Sequence, residues 1–222
     1  MQGSTPGTCV LVSGGLDSAL LLRRLLRRRT RLVPLYVRFG LAWEATELYW
    51  LRRLLASLRS PRLAPLQVVD LPITSFYGAA HWSVTGRGVP GARTHDRRVY
   101  LPGRNLLLVS AAALVCASRR LSTIALGILK GNPFGDATPG FFAGMASALS
   151  QALGRPIRIL APIRRMSKVQ LIRSTPGVAL HLTFSCIRPR GRRHCGRCNK
   201  CAERKRAFRL AGLADPTRYV VA

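Results

Sequence analysis

The sequence predicts an α/β protein: an open parallel sheet with helices on both faces, followed by a small C-terminal zinc-binding subdomain. Three observations lead there. Apolar strand-like runs alternate with helical stretches over roughly the first seventy residues, the pattern of an open parallel sheet. A Ser-Gly-Gly turn joins the first strand to the first helix. Four cysteines follow the spacing Cys186-x8-Cys195-x2-Cys198-x2-Cys201 near the C-terminus. The expected division is 1–180 for the sheet domain and 181–222 for the metal-binding part.

The elements read in order. Cys9–Ser13 is a short apolar run and forms strand one. Ser18–Arg29 is helix one, with Ala19, Leu20, Leu21, Leu22 and Leu25 toward the core and Arg23, Arg24, Arg27, Arg28 and Arg29 on the polar side. Leu32–Phe39 is strand two, Trp43–Leu58 helix two, and Leu66–Leu71 strand three, ended by Pro72. Gly78–Val99 loses periodicity and is rich in glycine, histidine and arginine. A stretch of this length without elements is either a lid over a site or a flexible linker. Arg104–Ser118 is a helix and Thr123–Gly127 a strand. Lys130–Phe142 is a second Gly/Pro-rich loop, Gly140–Leu153 a helix, Ile157–Ala161 a strand and Ser167–Ser174 a helix. From His181 onward the chain reads as loop, cysteine cluster and one short helix.

The turn between strand one and helix one, Val12-Ser13-Gly14-Gly15-Leu16-Asp17-Ser18, carries the chemistry. A Gly-rich turn before a helix leaves backbone N–H groups free, and the positive end of the helix dipole favours an anion. Ser13 and Ser18 add hydroxyl donors. The segment lacks the lysine of a GxxxxGK[ST] loop. Asp17 suits a hydrated Mg²⁺ or the helix N-terminus itself, and the two roles can coexist.

Lysine and arginine total 36 against eight acidic residues, a formal charge of +28. Only Lys130, Lys168, Lys200 and Lys205 are lysine, so the excess is almost wholly arginine, which suits solvated faces as well as a polyanion. Nucleic-acid binding is possible but not favoured. No run of 18 apolar residues occurs, so no transmembrane helix is expected. The polar stretch Met1–Thr8 does not read as a signal peptide, so the expected compartment is the cytoplasm. In that setting six cysteines argue against a disulfide framework. Cys9 and Cys116 lie in apolar runs and read as buried thiols.

The four C-terminal cysteines have the spacing of a tetrahedral zinc site. Gly196 eases the turn between Cys195 and Cys198, and the flanking arginines and lysines favour thiolates. His194 is a possible substitute ligand. An iron–sulfur cluster is the competing occupant. A closed four-cysteine shell leaves no open position and is structural.

With these pieces placed, the chain resembles two nested groups. Ser13-Gly14-Gly15-Leu16-Asp17-Ser18 is similar to the pyrophosphate loop of the ATP pyrophosphatases, enzymes with a Rossmann-like domain. Leu101-Pro102-Gly103-Arg104-Asn105, the Gly131–Phe141 segment, the stretch from Pro162 to Ser167-Lys168 and the cysteine spacing together resemble the 7-cyano-7-deazaguanine synthase family. Two departures fall in the Gly131–Phe141 segment: Thr138 stands where that family usually has arginine, and Gly140 where it has glutamate. A third follows strand two, where Tyr36–Glu44 replaces a YGQRH-like stretch.

The resemblance implies an ATP-dependent ligase. It would convert 7-carboxy-7-deazaguanine and ammonia to the nitrile through acyl-adenylate and amide intermediates, releasing AMP and pyrophosphate. It implies ATP contacts at Val12, Ser13, Gly14, Gly15, Leu16, Asp17, Ser18, Arg104, Asn105 and Lys168, with Asp17, Ser18 and Lys168 catalytic. Phe134 and Asp136 would meet the substrate base, and Cys186, Cys195, Cys198 and Cys201 would hold structural Zn²⁺. Mg²⁺ would accompany ATP, and a homodimer is a further expectation. The alternatives are a divergent ligase acting on a related carboxylate for another amine, and a tRNA-modifying ATP pyrophosphatase.

Overall fold

The computed structural model describes residues 7–28 and 30–220. Strands β1 (Gly7–Leu11), β2 (Arg31–Arg38), β3 (Gln67–Asp70), β4 (Thr123–Ala125) and β5 (Arg158–Leu160) form one sheet in the order β3-β2-β1-β4-β5. Every pairing is parallel. The helices are α1 (Leu16–Leu26), α2 (Glu44–Ser57), α3 (Thr74–Tyr77), α4 (Trp82–Thr85), α5 (Arg104–Ser118), α6 (Pro139–Leu153), α7 (Lys168–Ser174) and α8 (Asn199–Ala211).

Burial explains the sheet. β1 and β4 sit in the middle, and Cys9, Val10, Ile124 and Ala125 are fully enclosed from both faces. A strand covered on both sides needs a continuous apolar run rather than an alternating one. One apolar layer joins Cys9, Leu35, Val109 and Ile124 under α5. The other joins Val10, Leu20, Leu21, Leu22 and Tyr36 under α1, and reaches α7 and α8 through Leu171 and Phe208. Cys9 and Cys116 are buried free thiols.

The chain runs from β1 outward through β2 to β3, then returns to place β4 on the other side of β1. The strand order therefore reverses between β1 and β4. Ligands of open α/β sheets bind beyond the carboxyl ends of the strands at such a point. Here those ends carry the Val12–Gly15 turn and the segment from Leu126 to Lys130.

Several expected boundaries move. Helix one begins at Leu16 and ends at Leu26, since Gly15 already has extended geometry as its N-cap. The expected end at Arg29 lies outside the described residues, as do residues 1–6 of the polar N-terminal stretch. Arg23 and Arg24 are half-buried rather than on an open face, and Arg24 reaches the Ser174 hydroxyl at 3.3 Å. The 78–99 stretch is not a featureless loop. It contains α4 and a 3₁₀ turn at Asp96–Val99. Its far half is tied to the start of α8: the Asn199 N–H donates to the Pro90 carbonyl at 2.9 Å, and the Asn199 side-chain amide donates to the Thr94 carbonyl at 2.9 Å. These bonds join sequence-distant groups and carry no local periodic signal.

Gly14 shows why the turn requires glycine. Its φ is +75°, and a Cβ there would lie 3.1 Å from Leu51 Cβ and 3.3 Å from Leu51 Cα on α2. The left-handed conformation alone costs an ordinary residue about 1–2 kcal/mol, and backbone on α2 cannot yield as a flexible side chain would. Gly14→Ala is expected to lower the thermal midpoint by several degrees, measured by calorimetry, whereas an unchanged midpoint would show that α2 is not seated on the turn.

Candidate active site

The turn is held by its own hydroxyls. Ser18 Oγ donates to the Gly15 carbonyl at 3.1 Å, and Ser13 Oγ accepts from the Gly15 N–H at 3.2 Å. The Ser13 N–H reaches Ser18 Oγ at 3.3 Å. α1 has no side-chain cap at its N-terminus. Its first-turn N–H groups therefore face the cavity in front of them, as donors suited to an anion. That cavity measures about 280 Å³ and lies over the carboxyl ends of β1 and β4. Val12, Ser13, Gly15, Leu16, Asp17 and Ser18 line one wall; Arg104, Asn105 and Lys168 line others. Gly14 turns away, toward Leu51.

A chain of charges crosses the cavity floor. Lys168, the first residue of α7, lies 3.1 Å from Asp17 Oδ2 and pairs with Glu203 of α8. Lys200 meets the other Glu203 oxygen at 2.8 Å. Burial alone would raise the Glu203 carboxyl; the two ammonium groups outweigh it and hold it at about 2. Burial pulls on Lys168 in the opposite sense, and its two carboxylates win, so its ammonium is held above the ordinary lysine range. Asp17 Oδ1 is buried without a partner beside the turn.

Arg104 and Asn105 open α5 behind Gly103, whose φ is +71°. Asp136 caps this end: its two oxygens accept from the Asn105 N–H at 3.0 Å and the Asn105 side-chain amide at 3.3 Å. Arg104 lies across the Phe39 ring at 5.8 Å, and its Nε is buried without a partner. Phe134 stacks on Tyr100 with centroids 4.5 Å apart. The structure thus gathers the turn, Arg104, Asn105 and Lys168 around one cavity. Asp136 meets that cavity only through Asn105, and Phe134 does not line it. Thr138 is an exposed N-cap of α6, accepting from the Phe141 N–H at 3.2 Å, and a side chain at Gly140 would meet open space.

The four cysteines converge. All are buried, and their sulfurs lie within 4.8 Å of one another. Cys186 and Cys198 are 3.9 Å apart, as are Cys195 and Cys201. Four sulfurs at about 2.3 Å from a central ion would be about 3.8 Å apart in a regular tetrahedron, which these two separations approach. Backbone N–H groups of Arg188 and Cys195 point at Cys186 Sγ, and those of Arg197 and Cys198 at Cys195 Sγ. Donors aimed at sulfur favour thiolate over thiol. His194 does not complete the set. Its Nε2 accepts from the Ser185 N–H at 3.2 Å, and burial, then Arg204, lowers it to about 4, which keeps the ring neutral.

Three groups escaped sequence reading. Arg204 looks like one of many solvated arginines, yet it is 1% exposed. It donates to Thr183 Oγ1 at 2.6 Å, the Leu180 carbonyl at 3.1 Å and Asp215 at 3.2 Å. Glu203 lies two residues past a cysteine and gives no motif. Glu47 is buried on α2 at the cavity wall and accepts from the Tyr36 hydroxyl at 2.7 Å. Burial raises it to about 7, against the pull of Arg104. The one available signal was the scarcity of acids: with only eight in the chain, an acid in the first turn of an amphipathic helix is worth examining.

Sheet order and switch-point turn define a doubly wound parallel α/β fold, with a four-cysteine cluster appended to it. A solved 4-thiouridine synthetase–RNA complex with bound ATP has the same fold, with a TM-score of 0.52 at 14% identity, covering 93% of this chain and 50% of that one. The family model for queuosine biosynthesis protein QueC matches residues 7–212, and the chain belongs to that family. It is 33% identical to a 7-cyano-7-deazaguanine synthase of an Anaeromyxobacter species, over 97% of both chains. It is 31% identical to that of Methanoculleus marisnigri, over 94% of this chain and 96% of the other. Among the described residues no helix is long and apolar enough to cross a membrane.

The thiol geometry carries its own test. Incubation with a strong chelator is expected to free four thiols for modification and to lower the thermal midpoint sharply, because metal binding free energy is folding free energy in such sites. A midpoint that stays put after complete metal removal would contradict it.

Proposed function

We propose that the chain uses ATP to activate 7-carboxy-7-deazaguanine and condenses it with ammonia to 7-cyano-7-deazaguanine. A carboxylate resists attack because oxide is a poor leaving group. Transfer of AMP to its oxygen supplies a good one. Ammonia then gives the amide, and a second adenylation on the amide oxygen allows AMP to leave again as the nitrile forms. One nucleotide site serves both halves. The observation that carries this reading is the cavity itself: a Ser-Gly-Gly turn and free helix N–H groups face Lys168 and Arg104 across a space of about 280 Å³. The relatives' names support the same product.

The residue roles follow from what each atom offers. The N–H groups of the first turn of α1, with Ser13 and Ser18, would cradle pyrophosphate and stabilise the charge that develops on it, while Gly15, bonded to Ser13, would close the turn beneath it. Lys168 would add a cation, set in place by Asp17 and Glu203. The unpartnered Asp17 Oδ1 fits a hydrated Mg²⁺, which takes one or two carboxylates and keeps phosphate oxygens and water for its other positions. Val12, Gly14 and Leu16 shape the turn. Arg104 and Asn105 would meet the nucleotide from α5. For the deazapurine, Phe134 offers a ring face and Asp136 an oxygen lone pair beyond those given to Asn105. Cys186, Cys195, Cys198 and Cys201 would hold Zn²⁺, which would brace residues 181–222 against the 1–180 domain. Ammonia as the nitrogen source and a homodimer belong to the same proposal.

The reading is tested by following AMP, pyrophosphate and nitrile by mass spectrometry with and without 7-carboxy-7-deazaguanine and ammonium. AMP formation is expected to depend on the acid, and nitrile on ammonium. Asp17→Asn is expected to lower the rate at least 100-fold while leaving the fold intact. ATP turnover without nitrile would point instead to a different carboxylate or amine, given Thr138 and Gly140.

A further inference from the structure

Three carboxylates line the cavity: Asp17, Glu203 and Glu47. The first two are neutralised by lysine, Asp17 by Lys168 and Glu203 by Lys168 and Lys200. Among the described residues no ion pair holds Glu47. It enters from the first turn of α2, on the wall it shares with Trp43 and Tyr36. Three elements place titratable or charged groups against it: Tyr36 on β2, Glu44 on the same helix, and Arg104 on α5. Glu44 is occupied, accepting from the N–H groups of Phe39 and Gly40 at 2.5 and 2.9 Å. Tyr36 orients Glu47 through one oxygen at 2.7 Å.

We propose that Glu47 is the proton acceptor for the attacking nitrogen. This rests on the reaction proposed above. Ammonium gives a proton to the Glu47 carboxylate and becomes ammonia. The nitrogen lone pair forms the C–N bond at the acyl carbon, and the C–O bond to AMP breaks with its electron pair leaving on AMP. The surplus proton on the new amide nitrogen passes to water, and the Glu47 proton follows once AMP has left. In the second half, the neutral adenylated imidate gives its N–H proton to Glu47. The freed pair forms the third C–N bond as AMP leaves again. The other two carboxylates are already engaged by lysine ammonium groups, Asp17 by Lys168 and Glu203 by Lys168 and Lys200. A group near the working pH is both unprotonated often enough and basic enough to accept. Burial, opposed by Arg104 and the Tyr36 hydrogen bond, brings Glu47 to about 7.

Glu47→Gln preserves shape and the Tyr36 bond. Three rates are measured on the metal-loaded variant: ATP–pyrophosphate exchange dependent on the acid, nitrile formation from ammonium, and hydroxamate formation from hydroxylamine, which is already unprotonated at neutral pH. The expected result is exchange and hydroxamate within about threefold of the parent, with the ammonium-dependent rate down about 100-fold or more. An undiminished ammonium rate, or equal loss in all three, overturns the proposal. Should the variant not fold, Tyr36→Phe decides. Loss of the hydroxyl raises the Glu47 carboxyl further, so the pH at which the ammonium step switches on moves up while the exchange profile stays in place; an unmoved profile overturns the proposal. Absence of exchange in the parent enzyme removes the adenylation reading itself, and this inference with it.

Discussion

Lys168 stands between two carboxylates contributed from opposite ends of the chain, and the arrangement of the cavity depends on it. Asp17 belongs to the turn that follows β1, and Glu203 to α8, the helix that carries the last cysteine. The ammonium, mostly enclosed, is charged because both carboxylates are present, and Glu203 is ionised because Lys168 and Lys200 are. Removing one member of such a set leaves a buried charge uncompensated, which costs far more than the set contributes over an apolar alternative. The arrangement therefore fixes geometry more than it adds stability. A backbone bond reinforces it: the Phe184 N–H donates to the Gly14 carbonyl at 2.8 Å, joining the segment before Cys186 to the turn. The thiol centre is thus mechanically continuous with the proposed phosphate cradle.

The acidic residues describe the same economy. All eight have a partner within the chain: Asp17 and Glu203 meet Lys168, exposed Asp70 meets Arg38, and Asp215 meets Arg204. Glu44 receives backbone N–H groups, Glu47 a phenol, and Asp136 and Asp96 the amides of Asn105 and Asn199. The charge of +28 is the excess of 36 basic residues over these eight acids. A large positive field of this kind draws anionic substrates toward the cavity and weakens with salt.

Much of this was legible in the chain. Cys9–Val12, the glycines of the turn and the apolar face of α1 write a strand, a tight turn and a helix in local code, and α5 appears at Arg104–Ser118 as its periodicity predicts. The cysteine spacing is equally local. Long-range partners were not legible. Nothing beside Glu203 announces Lys168, thirty-five residues earlier. Arg204 reads as surface because its charge is indistinguishable from that of its neighbours, and only the fold reveals Asp215 and Thr183 around it. The 78–99 stretch looked unstructured because its bonds go to α8. The bond from Asn105 to Asp136 spans thirty-one residues and has no local signature either.

Glu203, by holding Lys168, would set the proposed nucleotide site from the thiol-centre side. The most direct test is calorimetric titration of ATP into metal-loaded Glu203→Gln, with metal content checked on the same sample. The account predicts full metal occupancy with ATP affinity reduced about tenfold or more, since Lys168 would then be drawn onto Asp17 alone. Unchanged affinity at full occupancy would contradict it, and would mean that the turn and α5 hold the nucleotide without help from the C-terminal helix.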